Sequence, residues 1–518
     1  MMSETSSAPS RAHSPWAGFT VCASVAILTI LDLVKVNVIL TPLQSTLGAT
    51  TTQTQLIVAG YVLAFGITLV PAGRLGDQWN RKAMFLLGLT LFTVASLASA
   101  LAPTADALVV ARIIQGLAAG VLMPQVLGMI QTFFQGRQRG QAFGIFGASI
   151  GFGTAFGPTI GGLFIGTLGP ELGWRWTFGM NVPLALIIVP LAIRLLPGRQ
   201  ARDRSARDSA RDLDLVGVSL LAATVLLVML PFVLTTGTDQ DVPARWLLLL
   251  AGAVLAAVFI WWERRYRDRG RSPVLDFRLF SYPSYRNGVI ITSLWFAAMP
   301  ATFLVMTLYN QQGLGHPAVV VGMITIPYAI ISAIIAWLSG RYTFSHATVL
   351  VIIGISVFLV GLVALALIAR FVEPAHTPWA MAASLALCGV GPGLVMSANQ
   401  MRTLMHVPLA SAGVAGSFQQ VGQRLGNAIG IAVATTVFYA LVSSVPRTSG
   451  GLVDPNDPVA LETYRTAFDA SMVVLMLMCA LALVFAVLDH RQRRREAPFP
   501  KEASPIAGSS SATTNSEL

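Results

Sequence analysis

Long apolar stretches alternate with short polar ones from one end of the chain to the other. Fourteen runs of about 20 or more mostly apolar residues fall near residues 17–41, 54–73, 83–102, 105–130, 141–166, 175–197, 213–236, 245–263, 286–310, 318–340, 347–370, 378–400, 410–444 and 467–488. Backbone amides in lipid must bond within their own segment unless the chain closes as a barrel, and barrel strands would be about half as long and alternating in polarity. The pattern therefore predicts an all-α integral membrane protein with 14 transmembrane helices. Composition agrees, with 54% of 518 residues hydrophobic, 11% charged and a mean hydropathy of +0.69, outside the range of soluble domains.

The polar segments between the runs predict orientation and division. With the N-terminus in the cytoplasm, 26 of the 34 Lys and Arg residues fall in inner segments, so both termini are expected to be cytoplasmic. The net charge of +11 is spread over these loops and reads as a topology signal with some anionic-lipid attraction, not as a nucleic-acid surface. The first run contains Asp32 and Lys35 and lacks a cleavage site, so it reads as a retained helix and not as a signal peptide. The polar run Arg199 to Asp212 and the basic stretch Glu263 to Arg286 divide the runs into six, two and six. The expected organisation is a cytoplasmic tail at 1–16, a six-helix bundle at 17–198, central loops with the inserted runs seven and eight at 199–285, a second six-helix bundle at 286–490 and a disordered cytoplasmic tail at 491–518.

Four ionisable residues lie deep inside the apolar runs, away from their ends: Asp32 and Lys35 in run one, Arg112 in run four and Arg424 in run thirteen. A charge at the centre of a spanning helix costs roughly 2.5 to 3.5 kcal/mol on insertion scales, so these residues mark a working site. Counted from the outer ends at about 1.5 Å per residue, Asp32 and Arg112 both lie roughly 12 to 13 Å deep, and Lys35 shares a helix face with Asp32. Burial favours a neutral carboxyl and nearby cations favour the ionised form, and a balance between the two suits a proton carrier. One acid against three bases admits two readings: an anionic or zwitterionic cargo, or a neutral Lys35. Arg424 either faces a cavity or snorkels to the interface. The polar residues Asn37, Gln115, Asn181, Tyr309, Gln311, Asn399 and Gln420 are candidates to line a substrate path, or else bond helices together. Cys22, Cys388 and Cys479 have no metal-like spacing, and neither a metal site nor a cofactor is expected.

Run five has Gly153, Gly157 and Gly161, and run thirteen has Gly422, Gly426 and Gly430, glycine at every fourth position in the fifth helix of each six-helix unit. Such stripes let helices approach closely, and their recurrence points to two related bundles of an alternating-access carrier. Gly73, Leu75, Asp77, Arg81 and Lys82 between runs two and three, with Asn80 where glycine is usual, form one motif. Arg112, Gln115, Gly116 and Gly120 form a second. Gly144, Gly153, Gly157, Pro158, Gly161 and Gly162 form a third. Asp32, Asn37 and Pro42 in and just after run one, Trp174, Arg175, Trp176, Asn181 and Pro183 at run six, and Asp214 with Gly217 and Pro273 to Phe280 at the borders of the inserted pair complete the set. Together they resemble the fourteen-helix drug:proton antiporter branch of the major facilitator superfamily, over essentially the whole transmembrane region.

The resemblance implies a monomeric carrier in the plasma membrane that exports drugs or other small amphipathic molecules in exchange for protons. It also implies that Asp77 and Arg81, in the loop motif with Gly73 and Lys82, act as a latch favouring the outward-open form. On this view Asp32 is ionised beside Arg112 and Lys35 in one state and protonated when the bundles rock apart; the alternative is a static ion pair fixing runs one and four. Pro158 in a glycine-rich run is expected to let run five bend at a rocking interface. Rival functions are a dedicated exporter of a metabolite, antibiotic or anionic compound, and a non-transporting membrane sensor. A nucleotide-driven pump is disfavoured because no lysine follows glycine, so a GxxxxGK[ST] loop is missing. An enzyme is disfavoured because the core runs hold no paired carboxylates or histidine cluster.

Overall fold

The computed structural model describes residues 14–197, 214–234, 243–271, 273–275, 277–408, 411–442 and 458–493. The Arg199 to Asp212 run, nearly all of the expected N-terminal tail and the tail beyond Arg493 lie outside these residues. The described chain is helical: α1 (Pro15–Lys35), α2 (Leu40–Leu47), α3 (Thr51–Gln78), α4 (Arg81–Ala100), α5 (Ala105–Phe133), α6 (Gly136–Gly179), α7 (Asn181–Leu195) and α8 (Leu215–Leu234). There follow α9 (Leu247–Asp268), α10 (Pro283–Leu308), α11 (Ala318–Ile324), α12 (Ile326–Ser339), α13 (Thr343–Phe371), α14 (Thr377–Thr403), α15 (Ala412–Val442) and α16 (Pro458–Arg493).

Among the described residues, 12 helical stretches are long and apolar enough to span a bilayer. One of these, Gly136–Leu195, covers runs five and six together, and the shorter apolar helix Val216–Phe232 stands at run seven, so every predicted run is accounted for. The protein is thus a multi-pass membrane protein. Local signals start the helices where the apolar runs begin. Thr50 and Gln53 form a reciprocal capping box before α3, and the Asn80 side chain accepts from the Lys82 and Ala83 amides before α4. The departure from helical geometry in α6 is at Gly169, with φ 79° and ψ 172°. A glycine is needed there, and the break falls between runs five and six.

The helices form two bundles with corresponding pairings: α6 packs on α1 in the first half and α15 packs on α10 in the second. One apolar core fills the first half and crosses to Tyr285, Val289, Leu404 and Val414; the second half has its own core around Trp295, Phe358 and Phe468. The inserted pair α8 and α9 pack on each other, and α8 rests on both α3 and α15. Contacts between the halves concentrate at the end that carries the α3–α4 turn. There the Cβ position of Gly144 is 2.8 Å from Gly340 Cα, that of Gly73 is 2.8 Å from Gly413 O, and that of Gly147 is 3.7 Å from Met396. At the opposite end, α2 packs on α3 and α6 of its own half, and α11 packs on α12, α14 and the Tyr309–Gly313 turn of its own.

Candidate functional site

Midway along the first bundle the predicted charges meet. Asp32 and Lys35 sit one turn apart on α1, and their groups approach to 3.1 Å. Asp32 Oδ2 accepts from Arg112 Nη1 of α5 at 2.7 Å, and Oδ1 accepts from Asn181 Nδ2 of α7 at 2.7 Å. Lys35 Nζ donates to Asn181 Oδ1 at 2.8 Å. Arg112 Nη1 also donates to Gln115 Oε1 at 2.8 Å, and Gln115 Nε2 and Asn181 Nδ2 both reach Ser96 Oγ of α4, at 2.7 and 3.1 Å. All six residues are fully buried. The Arg112 guanidinium lies 4.2 Å from the Tyr61 ring centroid, a cation–π contact, and its Nε donates to Ile57 O at 3.2 Å.

Glycines make this convergence possible. A Cβ on Gly116 would fall 2.3 Å from Tyr61 O, so α5 meets α3 backbone to backbone and brings Arg112 into reach. The stripe of α6 lies against α1 where the acid stands: Gly153 faces Ile27 O at 3.1 Å, Gly157 faces Lys35 N at 3.2 Å and Gly161 faces Lys35 O at 3.1 Å. Gly162 is looser, with Val38 Cγ1 nearest at 3.9 Å. In the second half Gly426 and Gly430 press still closer on Ser293 and Ala297 of α10, their Cβ positions 2.0 and 1.8 Å from the two carbonyl oxygens. Each stripe therefore faces the first helix of its own bundle, and the α6 glycines that meet the other half are Gly140, Gly144, Gly147 and Gly151.

The α3–α4 motif forms a second polar site. Asp77 is buried and accepts from the Gly413 and Val414 amides at 2.9 and 3.1 Å, so a carboxylate of the first half caps α15 of the second. Arg81 Nη2 donates to the same carboxylate at 2.6 Å, and its Nη1 donates to Gly128 O at 2.6 Å. Lys82 Nζ caps the end of α7 by donating to Ile193 O and Leu196 O at 2.7 and 2.8 Å.

Between the bundles lies a cavity. Ile30, Met123, Phe143, Phe146 and Ile150 line it from the first half, and Trp295, Phe296, Met396, Asn399, Gln400, Gln420, Gln423 and Arg424 line it from the second. Arg424 does not snorkel; its guanidinium carbon stands 4.3 Å over the Phe65 ring. Of the candidate path residues, Asn399, Gln420 and Arg424 line this cavity. Asn181 belongs to the ion cluster. Tyr309 is buried in the second core, donating to Ala369 O at 3.3 Å with its ring 4.7 Å from Phe468, and Gln311 lies in the Tyr309–Gly313 turn away from the cavity. The side chains of Asn37 and Pro158 lie outside the described residues. Sequence reading missed Ser96, Tyr61, Phe65, Gln400 and Gln423. A serine or aromatic in an apolar run gives no signal of its own, since hydroxyls there usually bond their own helix.

The model of the Major Facilitator Superfamily matches residues 22–431. The chain belongs to that superfamily. Puromycin resistance protein pur8 of Streptomyces alboniger is 30% identical over 96% of this chain and 94% of its own length. Methylenomycin A resistance protein of Streptomyces coelicolor is 29% identical over 81% of this chain and 85% of its own. Among solved structures, the proton:xylose symporter XylE superposes with a TM-score of 0.61 at 15% identity, covering 92% of this chain and 95% of that one, a likeness of fold. This chain is therefore a transporter of the superfamily, and bacterial antibiotic-resistance proteins are among its relatives.

Proposed function

We propose that this superfamily member is a proton-coupled antiporter that exports drug-like or other small amphipathic molecules across the plasma membrane by alternating access. The observation that carries this reading is the fully buried acid Asp32, held between Lys35 at 3.1 Å and Arg112 at 2.7 Å. Protonating Asp32 in place would leave two adjacent buried cations without their counter-charge. At an effective dielectric of about 20, each charge pair at such distances is worth roughly 4 to 6 kcal/mol. The proton can bind only as the cluster loosens, and that requirement ties protonation to movement of α1 against α5 and α7.

On the arginine distribution, the end carrying the α3–α4 turn faces the cytoplasm, as do both termini. The halves meet at that end, so the described arrangement corresponds to the outward-facing state. The Asp77 cap on α15, braced by Arg81, serves as its latch. A proton arriving from outside neutralises Asp32, the cluster opens, the latch releases, and the inward-facing form gives the proton to the less acidic cytoplasm while cargo binds. Relatives named for antibiotic resistance support export as the direction. Proteoliposomes with an imposed pH gradient test this reading. Dye transport against its own gradient should stop when a protonophore collapses the pH difference; transport that continues unchanged overturns proton coupling.

A further inference from the structure

The cavity between the halves holds one cation and, among its described lining residues, no acid. Arg424 sits three turns into α15, near the middle of the bilayer, yet its guanidinium donates no hydrogen bond to any described residue, and its buried Nε is without a partner. Its guanidinium carbon lies over the face of Phe65 at 4.3 Å. The other two cations at this depth share Asp32. A guanidinium carries five N–H donors in a planar fork that matches a carboxylate or phenolate, and leaving it unmatched in a membrane protein is costly.

The surrounding wall is specific. Gln420 and Gln423 flank Arg424 on the cavity side, and Gln400 adds an Nε2 that is buried and unbonded. These amides are neutral donors. Facing them are rings and thioethers: Phe143, Phe146 and Met123 from the first half, Trp295 and Phe296 from the second. Such a wall offers ring faces to an aromatic group and donors to its charged edge, around a cavity of about 40 Å³ in this arrangement that a larger ligand must widen.

We propose that the cavity binds aromatic anions, with Arg424 pairing the carboxylate or phenolate and Gln400, Gln420 and Gln423 donating to the same edge. The inference rests on the transporter reading above and deepens it by fixing the charge of the cargo. A geometric link also joins this site to the proton site. Phe65, under Arg424, lies 6.1 Å from Tyr61, and Tyr61 carries Arg112 on its ring at 4.2 Å. An anion drawn onto Arg424 thus acts one helix face away from the guanidinium that holds Asp32.

The test is binding of two flat fluorescent probes, fluorescein as aromatic anion and ethidium as aromatic cation, to the full-length protein in nanodiscs at one pH near neutrality. Wild type should prefer fluorescein. Arg424→Gln should weaken fluorescein by about tenfold or more, the loss of one charge-assisted bond or greater, and leave ethidium unchanged or tighter. Gln420→Glu, which supplies Arg424 with an internal counter-ion, should weaken fluorescein in the same way while preserving the unaltered arginine, so misfolding of one variant leaves the other decisive. Unchanged fluorescein affinity in the folded variants, or a wild-type preference for ethidium, overturns the proposal. If fluorescein binds through Arg424 but a pH gradient does not move it, the anion site stands and proton antiport falls; gradient-driven movement of ethidium in preference to fluorescein has the opposite meaning.

Discussion

At the residue scale, the first bundle is organised around a carboxylate that cannot keep its charge alone. Asp32 accepts from Arg112 and Asn181 and touches Lys35, and each of those partners is itself bonded, down to Ser96 on α4. Buried ion clusters of this kind are sensitive to the loss of one member, because the remainder is left uncompensated. Arg112→Ala should lower stability by about 3 to 5 kcal/mol, read as a depressed thermal midpoint in detergent. Ser96→Ala removes one acceptor shared by Gln115 and Asn181 and should cost about 1 to 3 kcal/mol, with slower gradient-driven transport. The charged members were legible because an ion in an apolar run is conspicuous at any depth. Ser96 and Tyr61 were not, since their identity carries no trace of which helix they face.

At the element scale, helix pairs are set by glycine. The close approach differs from position to position, and substitution should follow it. Gly426→Ala places a methyl about 2 Å from Ser293 O and should disrupt α15 against α10, seen as loss of monodisperse protein on size exclusion. Gly162→Ala, with nothing nearer than 3.9 Å, should be tolerated. Gly157→Leu should fold poorly or lose transport, because the side chain would drive into α1 beside Lys35. The stripes could be read from sequence by their four-residue spacing. Their partner could not: the period gives a face, and only packing shows that the face meets α1 or α10 within one bundle, while Gly140, Gly144, Gly147 and Gly151 meet the other.

At the scale of the whole molecule, fourteen apolar runs and their separation by basic segments gave the helical membrane fold directly, because lipid leaves a backbone few choices. What remained hidden was the arrangement across the two halves, which depends on contacts hundreds of residues apart, such as Asp77 on the Gly413 and Val414 amides. That cap joins the two halves at one end of the protein. Asp77→Ala should free α15 and shift the population toward the form open at that end. Spin labels on cysteines replacing Gln138 and Ser345, both exposed near the closed end, should report a longer distance in the variant; an unchanged distribution would remove the latch from the scheme. The most direct test of the whole account is pH-gradient-driven efflux from proteoliposomes bearing Asp32→Asn, with circular dichroism and probe binding confirming a folded protein. The account predicts that uphill efflux disappears while the cavity still binds its probe, and full gradient-driven efflux by the folded variant would contradict it.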